Sequence, residues 1–231
     1  MSWHLAHVEE TESTNLLARS GRPNDVFTAS FQTAGRGRLD HRWFAERGKN
    51  LMMSVVLDVG DLVPEHVATL PLAVGLAVVK ALHGMAPRLM LKWPNDVLCD
   101  GRKLAGILCE RHGDNAIAGI GVNVQQHEFP SEIAGRATSL ALLGSDASVA
   151  EVRDAVLSAL SQVIAVWRTG FSVIYSKLID IDYLAGRQVA ICQLDDVAPS
   201  AYGICGGIQP DGSLLVGGDP VWAGEAHVCP V

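Results

Sequence analysis

The chain reads as an α+β protein: a mixed β-sheet with packed helices, followed by a small C-terminal β-barrel. Three observations lead there. Helical patterns stand both before and after runs of strand-like residues, the arrangement of helices laid on a sheet. Asp100-Gly101 lies between two short apolar runs, a strong hairpin signal that puts antiparallel pairs in that sheet. Residues 184–231 carry only short strand-like runs, with the turn Pro210-Asp211-Gly212 between two of them.

Taken in order, the elements follow from local patterns. Glu12-Ser13-Thr14-Asn15 ahead of Leu16, Leu17 and Ala18, with Gly21 beyond, predicts a short helix with a Ser/Thr cap and a glycine stop. Residues 25–32 alternate Val26, Thr28 and Ser30 with Phe27, Ala29 and Phe31, a strand. Residues 33–49 are polar and rich in Gly and Arg, a long loop. Residues 51–57 are a buried strand, and residues 65–83 a helix bent near Pro71. From residue 89 come a strand stopped by Pro94-Asn95, the hairpin about Asp100-Gly101, and a second turn at 112–115 leading into a strand over 116–124. Ser148-Val149-Ala150-Glu151 is a capping box opening a helix that runs to about Trp167. Short strands at 189–191, 202–204 and 214–216 make the barrel, which is too small to be stable alone and is expected to dock on the larger unit near residue 184.

Composition narrows the function. A chain of 231 residues suits one large domain with a small appendage and buries enough surface to fold without metal or disulfide. The apolar segment 67–79 contains Pro71 and ends at Lys80, which fits a core helix, and no stretch is long enough to cross a bilayer. The N-terminus has neither a basic flank nor an apolar run, so no signal peptide is expected. Five cysteines without a CxxC pair argue against a disulfide framework. Cys99, Cys109 and Cys192 are expected to be reduced core thiols and the compartment the cytoplasm. A net charge of −7 disfavours binding nucleic acid over the whole surface.

Several familiar sites are missing from the sequence: the GxxxxGK[ST] phosphate loop, the GxSxG elbow and HExxH. His4 and His7 have nothing nearby to complete a metal site, so no metal centre is expected. Gly35-Arg36-Gly37-Arg38-Leu39-Asp40 begins like a dinucleotide fingerprint but lacks the third glycine. What the same loop offers is an anion site. Glycines let successive N–H groups converge, two guanidiniums supply forked donors, and Trp43 could cover the site. A solvated basic loop is the alternative reading of that tetrapeptide alone. Lys92-Trp93-Pro94-Asn95-Asp96 precedes the hairpin, which places Lys103 just after the tight turn. Gly106 sits inside a strand, which suggests the close approach of a ligand or of another backbone, and Gly119 with Gly121 sit inside another, where either a bulge or a ligand pressed against the sheet would explain them.

Together these segments fall in the order and spacing of the biotin–protein ligase family, and the small C-terminal barrel completes a resemblance that covers nearly the whole chain. It resembles the monofunctional type, without an N-terminal DNA-binding domain. The resemblance implies the biotin/lipoate ligase catalytic fold over residues 1–183 and an SH3-like barrel over 184–231. It implies that biotin and Mg-ATP give biotinyl-5′-AMP and pyrophosphate, and that a lysine of a biotin carboxyl carrier protein then takes the biotin and releases AMP. That carrier is a domain of acetyl-CoA carboxylase or of a related biotin-dependent carboxylase. By position, Ser13, Thr14, Asn15, Gln32, Gly35, Arg36, Gly37, Arg38, Lys103, Gly106 and Gly119 are expected to hold biotin. Arg36, Arg38, Trp43, Asn95, Asp96, Lys103 and Asn123 are expected on the adenylate side, with Lys103 and Arg38 catalytic and Lys103 acting electrostatically. Dimers through the main sheet occur in the family, and no nucleic-acid or membrane partner is implied.

One departure stands out. The family loop usually reads GRGRxGR, whereas Asp40 and His41 occupy its last two positions here. A weaker grip on the adenylate follows, and Asp40→Gly is expected to slow adenylate release; an unchanged dissociation rate would overturn that expectation. The rival readings are a sibling ligase for lipoate or a related acid, and a non-catalytic sensor that keeps the pocket.

Overall fold

The computed structural model describes residues 1–38, 41–192 and 199–229, so Asp40 lies outside the described residues. The first half of the chain forms β1 (His4–Thr11), α1 (Thr14–Ala18), β2 (Asp25–Gln32), β3 (Asn50–Asp58), α2 (Pro64–Ala68) and α3 (Leu70–Leu82), then β4 (Leu89–Lys92), β5 (Asp96–Cys99), β6 (Arg102–His112) and β7 (Asn115–Asn123). The second half forms α4 (Ser131–Ala134), α5 (Val149–Trp167) and α6 (Ser172–Ile179), then β8 (Gln188–Cys192), β9 (Ala201–Ile208), β10 (Leu214–Val216), β11 (Asp219–Val221) and β12 (Glu225–Val228).

Seven strands make one sheet in the order β1-β2-β3-β7-β6-β5-β4. The pair β1–β2 runs parallel and the remaining pairs antiparallel, so the sheet is mixed as the sequence predicts. Asp100 and Gly101, at φ 47° and 77°, form the two-residue turn between β5 and β6. Both sit in the left-handed region, which a tight hairpin requires and which Asp and Gly tolerate. The strand residues Leu51, Met53, Val55 and Leu57 belong to the main core with α3 and α5. On the opposite face Ala18 of α1 packs with Val56 and Ile117, and this is the face that carries the site.

The long helix α5 behaves as its sequence demands. Ser148 accepts from the Glu151 N–H while the Glu151 carboxylate accepts from the Ser148 N–H. Val152, Val156, Leu160, Val163, Ile164 and Trp167 share its buried stripe. The segment 65–83 departs from the expected bent helix. It breaks at Thr69 into α2 and α3, with Pro71 in the first turn of α3. Proline lacks an N–H and clashes with the carbonyl four residues back, so the helix restarts instead of bending through it. Strand β1 gives no pattern in the sequence because it is exposed on both faces along nearly its whole length. Its order comes from pairing with β2.

The C-terminal strands form an open five-stranded antiparallel sheet, β11-β10-β9-β8-β12, rather than a closed ring. It is tied to the larger sheet by Trp93 Nε1 donating to the Gly212 carbonyl at 3.1 Å and by the Tyr175 hydroxyl donating to the Ile208 carbonyl at 3.0 Å. Between them Asp182, 7% exposed, accepts from Leu184 N at 2.9 Å and from Ile208 N at 2.8 Å. Burial pushes its carboxyl above the usual 3.8, against the pull of those N–H groups.

Removing this acceptor strands two buried donors, each costing about 1–3 kcal/mol. Asp182→Ala should therefore lower the melting temperature by roughly 4–24 °C, at about 2–4 °C per kcal/mol for a chain of this size. A raised folded pKa means the native state holds the proton more tightly than the unfolded chain. The titration-linked part of this stability is fully present below about 3.8 and is lost as pH rises through the raised value. The gap between wild type and Asp182→Ala should accordingly be wider at pH 4 than at pH 7, measured by thermal melting at both.

Candidate functional site

The site is built on a floor of glycines. Gly106 of β6 lies opposite Gly121 of β7, and Leu108 opposite Gly119. On the other side of β7, Gly121 faces Met52 and Gly119 faces Ser54 of β3. A Cβ on Gly121 would sit 2.5 Å from Trp43 Cε2, and one on Gly106 would sit 3.1 Å from both Trp43 and the Lys103 Cε. A Cβ on Gly119 would run into Asn15 Oδ1. What approaches these three glycines is therefore the protein's own side chains, Trp43, Lys103 and Asn15.

A bulge does occur nearby, one residue from Lys103. Pairing of β5 with β6 shifts register so that Leu104 has no partner between Lys103 and Ala105. Three residues apart on a regular strand, Lys103 and Gly106 would point to opposite faces. The extra residue puts Lys103 back on the face of Gly106. There its Nζ lies 2.7 Å from Asp96 Oδ1, an ion pair off the ideal hydrogen-bond axis, and 5.8 Å from the Trp43 ring centre.

At the other end of the floor, α1 and β2 supply a buried polar layer. Gln32 Oε1 accepts from the Thr14 N–H at 2.7 Å and from its hydroxyl at 3.0 Å. The Ser54 hydroxyl lies 2.8 Å from Thr14 Oγ1 and 2.7 Å from Asn15 Oδ1. Asn15 Nδ2 donates to the Leu108 carbonyl at 3.2 Å and to Glu110 Oε2 at 2.8 Å. Every polar atom of the Asn15 side chain therefore has a partner within the protein. Ser13 takes the N-cap place of α1 but its hydroxyl makes no cap hydrogen bond, which corrects the expected cap. Ser13 is among the residues that line the cavity.

The arginine loop closes over this floor as a small hairpin. Gly37 N donates to the His41 carbonyl at 2.7 Å, Trp43 N donates to the Gly35 carbonyl at 3.0 Å, and Arg36 bridges Arg42. Arg36 turns to Glu110, its Nη1 at 3.0 and 3.2 Å from the two carboxylate oxygens. Arg38 reaches the C-terminal sheet and donates to the Gly224 carbonyl at 3.4 Å, while His41 Nε2 lies 3.4 Å from Glu225 Oε1. Burial pulls the Arg38 pKa down against the opposing charges of Glu225 and Asp96. Lys92 is likewise pulled down by burial, with Asp96 opposing and Lys103 adding to it.

These groups enclose a cavity of about 590 Å³, within the usual range for a small-molecule site. All the sequence-predicted site residues line it except Gly35, whose backbone serves the loop closure. Two buried polar atoms on its wall, Trp43 Nε1 and Asn123 Oδ1, have no partner among the described residues. They are one donor and one acceptor that a ligand would satisfy. Asn95 also lines the wall, although its Nδ2 is spent on the Ile107 carbonyl at 2.8 Å. One end of the cavity is neutral and polar, about Ser13, Thr14 and Gln32. The other is cationic, about Arg38, Lys92 and Lys103. A molecule with an uncharged polar head and an acidic tail fits end to end, with its acid delivered to the cations.

Sequence reasoning missed Glu110 and Glu225. Glu110 was within reach, since Gly106, Leu108 and Glu110 alternate along β6 and so share the cavity face. No local signal ties Glu225 to a loop almost two hundred residues earlier.

Comparisons with known proteins give the family and the relatives of the chain. A family model described as the biotin/lipoate A/B protein ligase family matches residues 8–126. The biotin–[acetyl-CoA-carboxylase] ligase of Mycobacterium tuberculosis is 43% identical over 150 residues, 59% of this chain and 54% of that relative. The chain thus spans about half the length of that relative. The bifunctional ligase/repressor BirA of Salmonella typhimurium is 30% identical over 240 residues, 96% of this chain and 73% of the relative. Among solved structures, the biotin protein ligase from Aquifex aeolicus in complex with biotin and ATP superposes with a TM-score of 0.85 at 30% identity, covering 98% of this chain and 99% of the other.

Proposed function

The chain belongs to the biotin/lipoate A/B protein ligase family, and on that footing we propose that it activates biotin with ATP and transfers it to a lysine of a biotin carboxyl carrier protein. The observation that carries this reading is Lys103, brought by the β6 bulge onto the glycine floor 2.7 Å from Asp96. It stands at the cationic end of a cavity whose other end is neutral and polar.

The chemistry follows from the charges. A biotin carboxylate oxygen bonds to the α-phosphorus of ATP, and the bond to pyrophosphate breaks. Both reactants are anions, so the protein's task is positioning and charge neutralisation. Ser13, Thr14 and Gln32 hold the uncharged ring of biotin over Gly119, and the Trp43 indole covers its tail. Arg38 and Lys103 face the meeting point of carboxylate and phosphate, with Asp96, Asn95 and Asn123 on the nucleotide side. Mg²⁺ arrives on the triphosphate as part of the substrate. In the second step the carrier's lysine amine attacks the acyl carbon, AMP leaves, and the amine gives up a proton. Lys103 stays unacylated throughout, since its ammonium is engaged with Asp96.

We further read residues 1–183 as the catalytic unit and 184–231 as an SH3-like barrel, working in the cytoplasm. Five short antiparallel strands, with a register shift between Leu215 and Val216 where a strand would bend, support the barrel. The test is ATP–pyrophosphate exchange on the purified chain, with lipoate and octanoate run beside biotin. Exchange with biotin alone is expected. Exchange with lipoate or octanoate instead moves the chain to a sibling ligase, and none with any acid leaves a sensor.

A further inference from the structure

Glu110 has no part in the chemistry above, yet it gathers more of the site than any residue that does. It lies on the cavity face of β6, two residues beyond Leu108, with its side chain 22% exposed. Its carboxylate accepts from Asn15 Nδ2 at 2.8 Å and from Arg36 Nη1 at 3.0 and 3.2 Å, and Arg19 Nη2 adds a longer contact at 3.4 Å. These donors come from α1 and from the arginine loop, the two segments that wall the neutral end of the cavity. Burial alone would raise the Glu110 pKa; Asn15, Arg36 and Arg19 outweigh it and hold the group below 4.5, so it is an anion at neutral pH.

The consequence for Arg36 is specific. Its Nη1 contacts both oxygens of one carboxylate, and its backbone bridges Arg42 beside Trp43. An arginine held this way carries no free charge to the reacting end; it fixes where the hairpin sits. We infer that Glu110 is a positioning residue for the biotin end of the site, holding the Asn15 amide against Gly119 and tethering the loop through Arg36, so that Arg36 acts as the loop's anchor and not as an anion-binding group. This inference rests on the proposed ligase reading for its substrate, but not for its geometry.

A double-mutant cycle on the full chain tests it. Glu110→Gln keeps an acceptor for Asn15 and removes the charge; Arg36→Gln removes the other partner. Biotin-dependent ATP–pyrophosphate exchange gives KM for biotin and kcat, and trypsin cleavage after Arg38 and Arg42, sites that every variant keeps, reports the loop directly. Each single variant is expected to raise KM for biotin by about ten-fold, the size of one charge-assisted hydrogen bond. With it go faster loop cleavage and a kcat changed by no more than about two-fold. The double variant is expected to be no worse than either single one. Arg19→Gln, which loses only the longer contact, is expected to leave KM unchanged.

Additive effects, or a fall in kcat for Arg36→Gln at unchanged KM, would place Arg36 on the reacting anions and overturn the inference. A wild type without exchange would overturn the ligase reading instead. The cleavage measurement then decides alone: faster loop cleavage in Glu110→Gln supports the tether and unchanged cleavage overturns it.

Discussion

Lys103→Ala is expected to slow biotin-dependent ATP–pyrophosphate exchange by about 100- to 1,000-fold, the usual cost of removing one preorganised charge from a developing anion. Biotin affinity is expected to stay within about three-fold, because a group acting mainly on the transition state lowers kcat and kcat/KM together. The reason lies in the placement of this side chain. Lys103 is 38% exposed at its side chain and contributes nothing to the core, so the fold should tolerate its loss with little change in melting temperature. Its Nζ stands 2.7 Å from Asp96 beside the Trp43 ring, where the proposed function has the acid of one substrate meet the phosphate of the other. Lys103→Arg keeps the charge but replaces a compact ammonium with a planar fork, and an intermediate rate is expected. Exchange above about a tenth of wild type in Lys103→Ala would remove this residue from the chemistry. The electrostatic burden would then fall on Arg38 and Lys92.

Much of this site was legible in the sequence, for reasons that differ by residue. Gly106, Gly119 and Gly121 announced themselves as glycines inside strands, and the sheet pairs them across one floor. The hairpin about Asp100-Gly101 fixed where Lys103 enters its strand, because two successive left-handed residues admit few other turns. What the hairpin could not give was the side-chain direction. That depends on a bulge at Leu104, and a one-residue register shift leaves no trace in composition. Arg36 shows a different limit. Its residue type and spacing suggested an anion ligand, while the carboxylate it meets in the structure, Glu110, is 74 residues away and visible only once β6 is folded beside the loop. Strands β1, β11 and β12 were missed because edge strands of mixed polarity are ordered by their neighbours rather than by their own pattern. The C-terminal sheet was legible as a run of short strands, but whether such strands close into a ring is a property of pairing that no local signal carries.

Gly119→Ala should raise the dissociation constant for biotin by about 30- to 100-fold, an effect out of proportion to one methyl group. The added Cβ would run into Asn15 Oδ1, and the Asn15 amide has no room to yield. Its oxygen meets the Ser54 hydroxyl and its nitrogen is held by the Leu108 carbonyl and Glu110, so it must carry α1 with it. Thr14 is the adjoining residue, and Thr14 binds Gln32 through both its N–H and its hydroxyl. A displacement of an ångström at this layer therefore reaches every group proposed to hold the biotin ring, and misplacement on that scale costs about 100-fold. Overpacking also costs stability, about 1–3 kcal/mol, so the loss of affinity needs a comparison. Gly113→Ala supplies it: that glycine sits in a turn at φ +62° with nothing within 4 Å of a new Cβ. It should lose stability through backbone strain and keep its affinity for biotin. Calorimetric titration with biotin and a melting curve on both variants separate the two effects. If Gly119→Ala binds biotin as wild type does while melting lower, the Thr14–Gln32 layer is a structural layer only, and the biotin ring must be sought elsewhere along the floor.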